Sequence, residues 1–224
     1  MTILNLETST KNCSVAISKD SQLLSLCEEY DDKYGHSEKL HQFVEWALEG
    51  AEIKMKDLDA VCVSKGPGSY TGLRIGVSAA KGFCYGLNIP LLSLTSLEIL
   101  TQTRIGKNYD LVIPMIDARR MEVYTAVFDG NGKQISETEA KILDLNSFSD
   151  FKDNKIAFVG DGVEKSKTIL QLPNADFIEE VYPSAKNMID LAETKFKNKE
   201  FEDVAYFEPF YLKEFRAVKT KQNN

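Results

Sequence analysis

The chain is poor in the residues that hold metals and run hydrolytic chemistry. It has two histidines, His36 and His41, among 224 residues. Five positions along a helix turn through about 500°, so the two rings would lie about 140° apart. They cannot share one ion as the pair in a His-Glu-x-x-His helix does, which leaves a metallopeptidase only a weak alternative. No Gly-x-Ser-x-Gly elbow occurs, so a hydrolase triad has no support. The four cysteines, Cys13, Cys27, Cys62 and Cys84, are widely spaced with no Cys-x-x-Cys, and read as small reduced core residues. No apolar run approaches the roughly 18 residues of a membrane span. The first residues read as a strand with no basic stretch before them, so no secretory signal is expected and the expected location is cytoplasmic. A basic excess is missing too. The net charge is −7 with 27 basic and 34 acidic side chains, 10 and 13 of them up to Ile105. Neither half is a dedicated nucleic-acid binder, and any contact with RNA is expected to be weak or to run through a partner.

What is present is a repeated order of elements. Ile3–Leu6, Cys13–Ile17 and Gln22–Tyr30 read as three strands joined by short turns. From His36 to Glu49 the apolar Leu40, Phe43, Val44, Ala47 and Leu48 recur at spacings of three and four, a helix for which Ser37 is a candidate N-cap. A strand at 59–64, a glycine loop, a helix from Leu73 to Tyr85, a strand at 88–94 and a helix to about Thr103 follow. The second half restarts with a strand at Leu111–Ile116, an alternating strand at Glu122–Phe128 and a third at Lys133–Leu143. A short helix near 145–151, a strand at Ile156–Val159, the turn Gly160-Asp161-Gly162 and a helix at Val163–Leu170 come next. The short apolar Phe177-Ile178 precedes a last helix capped by Ser184. The pattern implies a duplicated α/β unit, each half a mixed sheet flanked by helices, divided into 1–105 and 106–224. The basic tail, Lys213 to Lys221, reads as a frayed or helical terminus that packs back on the first half.

The loop Gly66-Pro67-Gly68-Ser69-Tyr70-Thr71 joins strand to helix. It lacks the lysine of a Walker A loop, and Thr71 stands where a Rossmann fingerprint has its third glycine. Two readings stay open: a tight turn with Ser69 or Thr71 as N-cap, or an anion site at a helix N-terminus. Behind it, Gly72, Gly76 and Ala80 lie four apart, as do Gly82 and Gly86. Glycine inside a helix costs about 1 kcal/mol relative to alanine, so close approach by something is implied. It is either the protein's own sheet or a docked helix. The polar turn Glu7-Thr8-Ser9-Thr10 can bind Mg²⁺ or phosphate, or close on itself. Asp117-Ala118-Arg119-Arg120 stands at the same place in the second half, where its arginines suit phosphate or carboxylate.

These residues together resemble the TsaB family, also called YeaZ. The matching pieces are Ile3–Thr10 with Cys13–Ala16, His36-Ser37-Glu38-x-Leu40, the whole of Gly66–Gly76, Lys81-Gly82, Ile89-Pro90 and Ser96-Leu97-Glu98. Asp117–Arg120 with Glu122-Val123-Tyr124, Gly160-Asp161-Gly162, Tyr182-Pro183 and Pro209-x-Tyr211-Leu212 complete them. Glu7 stands where the family more often has Asp, Tyr70 where it has Phe, and Lys213 where it has Arg; the first weakens any Mg²⁺-nucleotide role. The resemblance implies an α/β fold of two related subdomains of the actin/Hsp70/sugar-kinase (ribonuclease H-like) type. It implies a non-catalytic subunit of the bacterial machinery that installs N6-threonylcarbamoyl on adenosine 37 of tRNA. The implied partners are a TsaD-like paralogue carrying the metal and the transfer chemistry, a TsaE-like ATPase, and functionally a TsaC/Sua5-like enzyme. A homodimer through the same helical surface is implied for the chain alone. Partner contacts are expected at His36, Leu40, Thr71, Gly72, Arg74, Ile75, Gly76, Ala79, Ala80 and Phe83. Candidate nucleotide or anion contacts are Glu7, Thr8, Ser9, Gly68, Ser69 and Arg119. No tightly bound cofactor, metal site or catalytic residue of its own is expected; ATP or ADP at the subunit junction stays open. The alternative from another class is an ATP-dependent phosphotransferase using the cleft between the halves.

Overall fold

A computed structural model describes residues 1–30, 36–104 and 107–213. The first sheet opens with an antiparallel meander, Thr2–Glu7 (β1), Asn12–Lys19 (β2) and Gln22–Tyr30 (β3). Helix α1 (His36–Gly50), β4 (Ala60–Ser64), α2 (Tyr70–Leu87), β5 (Leu91–Leu94) and α3 (Ser96–Thr101) follow. The sheet order is β3-β2-β1-β4-β5, with β4 parallel to β1 and to β5. Every residue of β1, β4 and β5 is buried. Parallel strands covered on both faces bury side chains at every position, and these runs are mostly apolar. One cover is α1 with α2, whose Leu40, Val44, Ala47, Val77 and Ala80 meet Leu4, Leu6, Val61 and Val63.

The second sheet repeats the plan with shorter parts. Its strands are Leu111–Asp117 (β6), Glu122–Thr125 (β7), Phe128–Asp129 (β8), Glu139–Ile142 (β9), Ile156–Val159 (β10) and Ala175–Ile178 (β11), with α4 (Val163–Lys167) before β11 and α5 (Ile189–Lys197) after it. The order β11-β10-β6-β7-β9 mirrors the first sheet strand for strand, parallel and antiparallel pairs included, with β8 beside β6. The expected two-subdomain architecture is present.

Local expectations fail where burial stops alternating. Glu122–Phe128 is not one strand: residues 125–128 are all buried, so the chain leaves the pleat after Thr125 and Phe128 pairs at the far end of β6. The strand expected over 133–143 shrinks to β9. The short helix expected near 145–151 is a 3₁₀ turn, Ser149–Phe151, and α4 ends at Lys167, three residues short. Ser184 makes no side-chain capping bond. Its hydroxyl donates to Glu28 (2.6 Å), and the last helix is entered through a 3₁₀ turn, Ala185–Met188. Ser37 lies inside α1 rather than before it.

The halves exchange their last helices. Leu97 and Leu100 of α3 pack with Val112, Ile116 and Phe128 of the second half. Met188 and Ala192, from the 3₁₀ turn and α5, pack with Ile3, Cys62, Leu92 and Leu94 of the first. Beyond α5 an irregular strap returns along the first sheet. Glu202 N–H donates to Leu91 (2.8 Å), Phe210 N–H to the Lys65 carbonyl (2.7 Å), and Val204 and Phe207 pack on that core. Of the basic tail, 214–224 lie outside the described residues.

Candidate functional site

Helix α2 starts where Ser69 caps it: the hydroxyl accepts from Gly72 N–H, 3.3 Å away. The glycine loop lies directly on the β1–β2 turn. Ser69 N–H donates to the Ser9 carbonyl (2.6 Å), and the Thr8 hydroxyl donates to the Gly72 carbonyl (2.7 Å). A Cβ on Gly68 would overlap the Ser9 carbonyl, and one on Gly76 would overlap the Thr8 hydroxyl. The glycines therefore serve contact between two loops of one subdomain. Glu7, Thr8, Ser9, Gly68 and Ser69 do converge, as the anion reading requires, but they fill one another's space. Glu7 is fully buried: its Oε1 accepts from Ser9 N–H (2.5 Å), while its Oε2 and the Ser9 hydroxyl have no partner among the described residues. Burial pushes the Glu7 carboxyl above its ordinary range, against the Ser9 N–H that holds it down. Arg119 is not part of this group; it lies exposed on the β6–β7 turn.

The partner-facing stripe is corrected by the same contacts. Gly72, Gly76, Ala79 and Ala80 are buried, as is Leu40 on α1. They face the protein's own sheet, so they offer nothing to a docked helix. Steps of 100° place Thr71, Arg74, Ser78, Gly82 and Tyr85 on the opposite arc of α2, and all five are exposed. That arc is itself divided. On one side Arg74 is committed internally, its guanidinium 4.2 Å over the Tyr70 ring and its Nε donating to the Tyr211 hydroxyl (3.3 Å). Lys81 holds the strap through the Ala205 and Phe207 carbonyls at 3.1 and 3.0 Å. On the other side a Cβ at Gly82 or Gly86 would meet nothing. Tyr85 beside them is 86% exposed, and Trp46 on α1 is 48% exposed. Half-buried Phe83 joins the two helices, its ring 5.8 Å from that of His41. Ile75 is half-buried in the same seam. His36 begins α1, but its side chain lies outside the described residues.

Trp46, Ser78 and Tyr85 are the residues that sequence reasoning left out; Gly82 and Gly86 it counted only as a small-residue pair. The signal for Trp46 was available: the single tryptophan falls off the 40, 43, 44, 47, 48 stripe, on an arc of His41, Gln42, Glu45 and Glu49. Among the described residues no cluster of three or more His, Cys, Asp or Glu side chains is placed to hold a metal ion, and no helix is long and apolar enough to cross a membrane.

Comparison with known proteins fits this geometry. The family model described as TsaD, tRNA N6-adenosine threonylcarbamoyltransferase, matches residues 32–220. The tRNA threonylcarbamoyladenosine biosynthesis protein TsaB of Bacillus subtilis is 31% identical over 220 residues, covering 95% of this chain and 94% of the relative. TsaB of Escherichia coli is 33% identical over 147 residues, 62% of each chain. The solved structure of YeaZ from Pseudomonas aeruginosa superposes with a TM-score of 0.82 at 27% identity, covering 94% of this chain and 99% of its own. With the two like-ordered sheets and the glycine loop seated on the first turn, these matches mean that the chain belongs to the TsaB/YeaZ family of tRNA threonylcarbamoyladenosine biosynthesis proteins.

Proposed function

We propose that this chain is a cytoplasmic, non-catalytic scaffold in the installation of N6-threonylcarbamoyl on adenosine 37 of tRNA, and that it acts by docking a TsaD-like paralogue. The docking surface is the outer face of α2: the open arc Ser78, Gly82 and Gly86, with the exposed Tyr85 ring among them. The single observation that carries this is the pairing of side-chain-free helix surface at Gly82 and Gly86 with the exposed ring of Tyr85 on the same arc. Backbone can approach closely at glycine, and aromatic anchors beside such a groove are where binding energy concentrates. A TsaE-like ATPase joins that pair, a TsaC/Sua5-like enzyme supplies the activated group, and the chain alone pairs with itself through the same face. A nucleotide, where one binds, sits at the subunit junction, because the turn that would cradle it in the first half is filled by Gly68 and Ser69. That filling also takes away one of the two polar turns on which a phosphotransferase reading rests.

Gly82→Arg and Tyr85→Asp test the surface by titration with the paralogue in a calorimeter. Each should weaken assembly by about 30-fold or more, the loss of one hot spot of 2 kcal/mol or above, while Gly82→Arg leaves the melting temperature of the isolated chain no lower than before, since it replaces a helix-interior glycine. Undiminished assembly of both variants refutes the surface. Gly76→Arg is not a usable probe, since it collides with Thr8 and would report misfolding.

A further inference from the structure

The β6–β7 turn carries two of the chain's five arginines side by side, in a protein with 22 lysines and a net charge of −7. Both residues hold left-handed backbone, φ +69 at Arg119 and +55 at Arg120. Asparagine and glycine take that conformation cheaply; arginine does not. Twelve residues after Arg120 the same half makes a turn with Gly132 at φ +86, where glycine takes the conformation without strain.

Backbone contacts fix the turn. Arg119 N–H donates to Asp117 Oδ1 (2.9 Å), and Asp117 N–H donates to Asp161 Oδ1 (2.9 Å). Lys165 Nζ donates to Asp117 Oδ1, to the Arg120 carbonyl (2.9 Å) and to the Glu122 carbonyl. The lysine is thereby spent on holding the loop. The guanidinium groups of Arg119 and Arg120 are exposed, and neither has an ion pair or hydrogen bond among the described residues. Lysines 39, 65, 141, 165, 167, 186, 197 and 213, by contrast, all sit beside a carboxylate.

A third cation stands close by. Lys213 Nζ lies 5.6 Å over the Tyr124 ring and pairs with Glu122, and the Tyr124 hydroxyl lies in the field of both Lys213 and Arg119. Beyond Lys213 the sequence adds Arg216, Lys219 and Lys221 against the single acid Glu214.

We propose that the Arg119–Arg120 turn, braced by Lys165 and neighboured by Lys213, is a contact for the phosphodiester backbone of RNA. Arginine matches phosphate oxygens with a planar fork of donors. A fixed turn lets two such forks bind without ordering the loop first. The contact adds salt-dependent affinity without reading sequence. The identity of the RNA as tRNA rests on the proposed function; the phosphate chemistry does not.

The test uses the complex with the TsaD-like paralogue and fluorescently labelled unmodified tRNA, titrated at several salt concentrations. The variant Arg119→Asn with Arg120→Gly removes both cations and relaxes the backbone. It should raise the melting temperature of the chain by about 2–4 °C. It should weaken tRNA binding at least 10-fold, and lower the slope of log K against log salt by about 1.4–1.8, the loss of two phosphate contacts. The double variant with lysine at both positions should keep most of that slope. Unchanged affinity and slope in an intact complex overturn the proposal. So does an equal loss in affinity for the paralogue, which would assign the arginines to a partner's carboxylates. A failed docking surface alone leaves assembly absent in wild type and variant alike. The same slopes are then read on the full chain at low salt, where equal slopes refute the contact and a reduced one supports it.

Discussion

The two halves have one strand order and very different covers. In the first, helices of 15 and 18 residues lie over the sheet. In the second, the same two places between strands hold a three-residue 3₁₀ turn and a five-residue helix. The second sheet is still sealed, by Leu143, Phe148, Val163 and Leu170 from turns and short elements. Burying such a sheet therefore does not require long helices. The length of α1 and α2 beyond that need is surface, and its outward arc carries Trp46, Tyr85 and two open glycines. The turns differ in the opposite sense. The β1–β2 turn is buried under the glycine loop, whereas the β6–β7 turn is open and carries free arginines.

Both strand-to-helix turns are built on Gly-x-Gly, and they offer the hardest test of this contrast. Gly68→Val drives a side chain into the Ser9 backbone and should cost about 4 kcal/mol, roughly 8–16 °C in melting temperature. Gly162→Ala in the second half meets the movable Val123 side chain as well as Met115 backbone at 3.1 Å, and should cost about 1–2 kcal/mol. Equal losses in thermal melts would show that the first turn is no more tightly seated than the second. A smaller effect probes the covers. Phe148→Ala removes the ring lying 5.4 Å from Phe158, and Phe43→Ala removes a buried ring beneath α1. Each should cost about 3 kcal/mol in urea unfolding. A loss below about 1 kcal/mol at Phe148 would mean that the second sheet is not sealed by its turn.

The smallest effect belongs to Glu7. Its folded pKa is raised by burial, so the folded state holds more protons than the unfolded one. Its contribution to stability therefore falls as pH rises above about 4.5, the ordinary value for the unfolded chain, through the folded pKa. Glu7→Gln removes that slope and offers an N–H₂ to the unpartnered Ser9 hydroxyl. Stability at pH 7 should rise by about 1 kcal/mol, and a pH series of melts in which the variant keeps the wild-type slope would contradict this account.

The duplication could be read from the sequence because strand periodicity and turn residues recur in the same order, and α2 was placed to within three residues at each end. The orientation of the glycine stripe could not. Periodicity says that Gly72, Gly76 and Ala80 share one face; it does not say which of two small-residue faces touches the sheet. Thr8, 64 positions away, decides that. The missing capping bond at Ser184 has the same origin, since its side chain is turned to Glu28 on another strand. Arg119 was singled out by residue type alone. Its separation from Glu7 follows from the two turns belonging to different sheets.

The exchange of α3 and α5 also sets a schedule for synthesis. The face of the first sheet formed by Ile3, Cys62, Leu92 and Leu94 waits for Met188 and Ala192. The first strand leaves the ribosome almost the whole chain ahead of its cover. At about 5–20 residues per second, that apolar face stays open for on the order of 10–40 s in every newly made molecule, an interval in which a chaperone, or a second nascent copy, can reach it first.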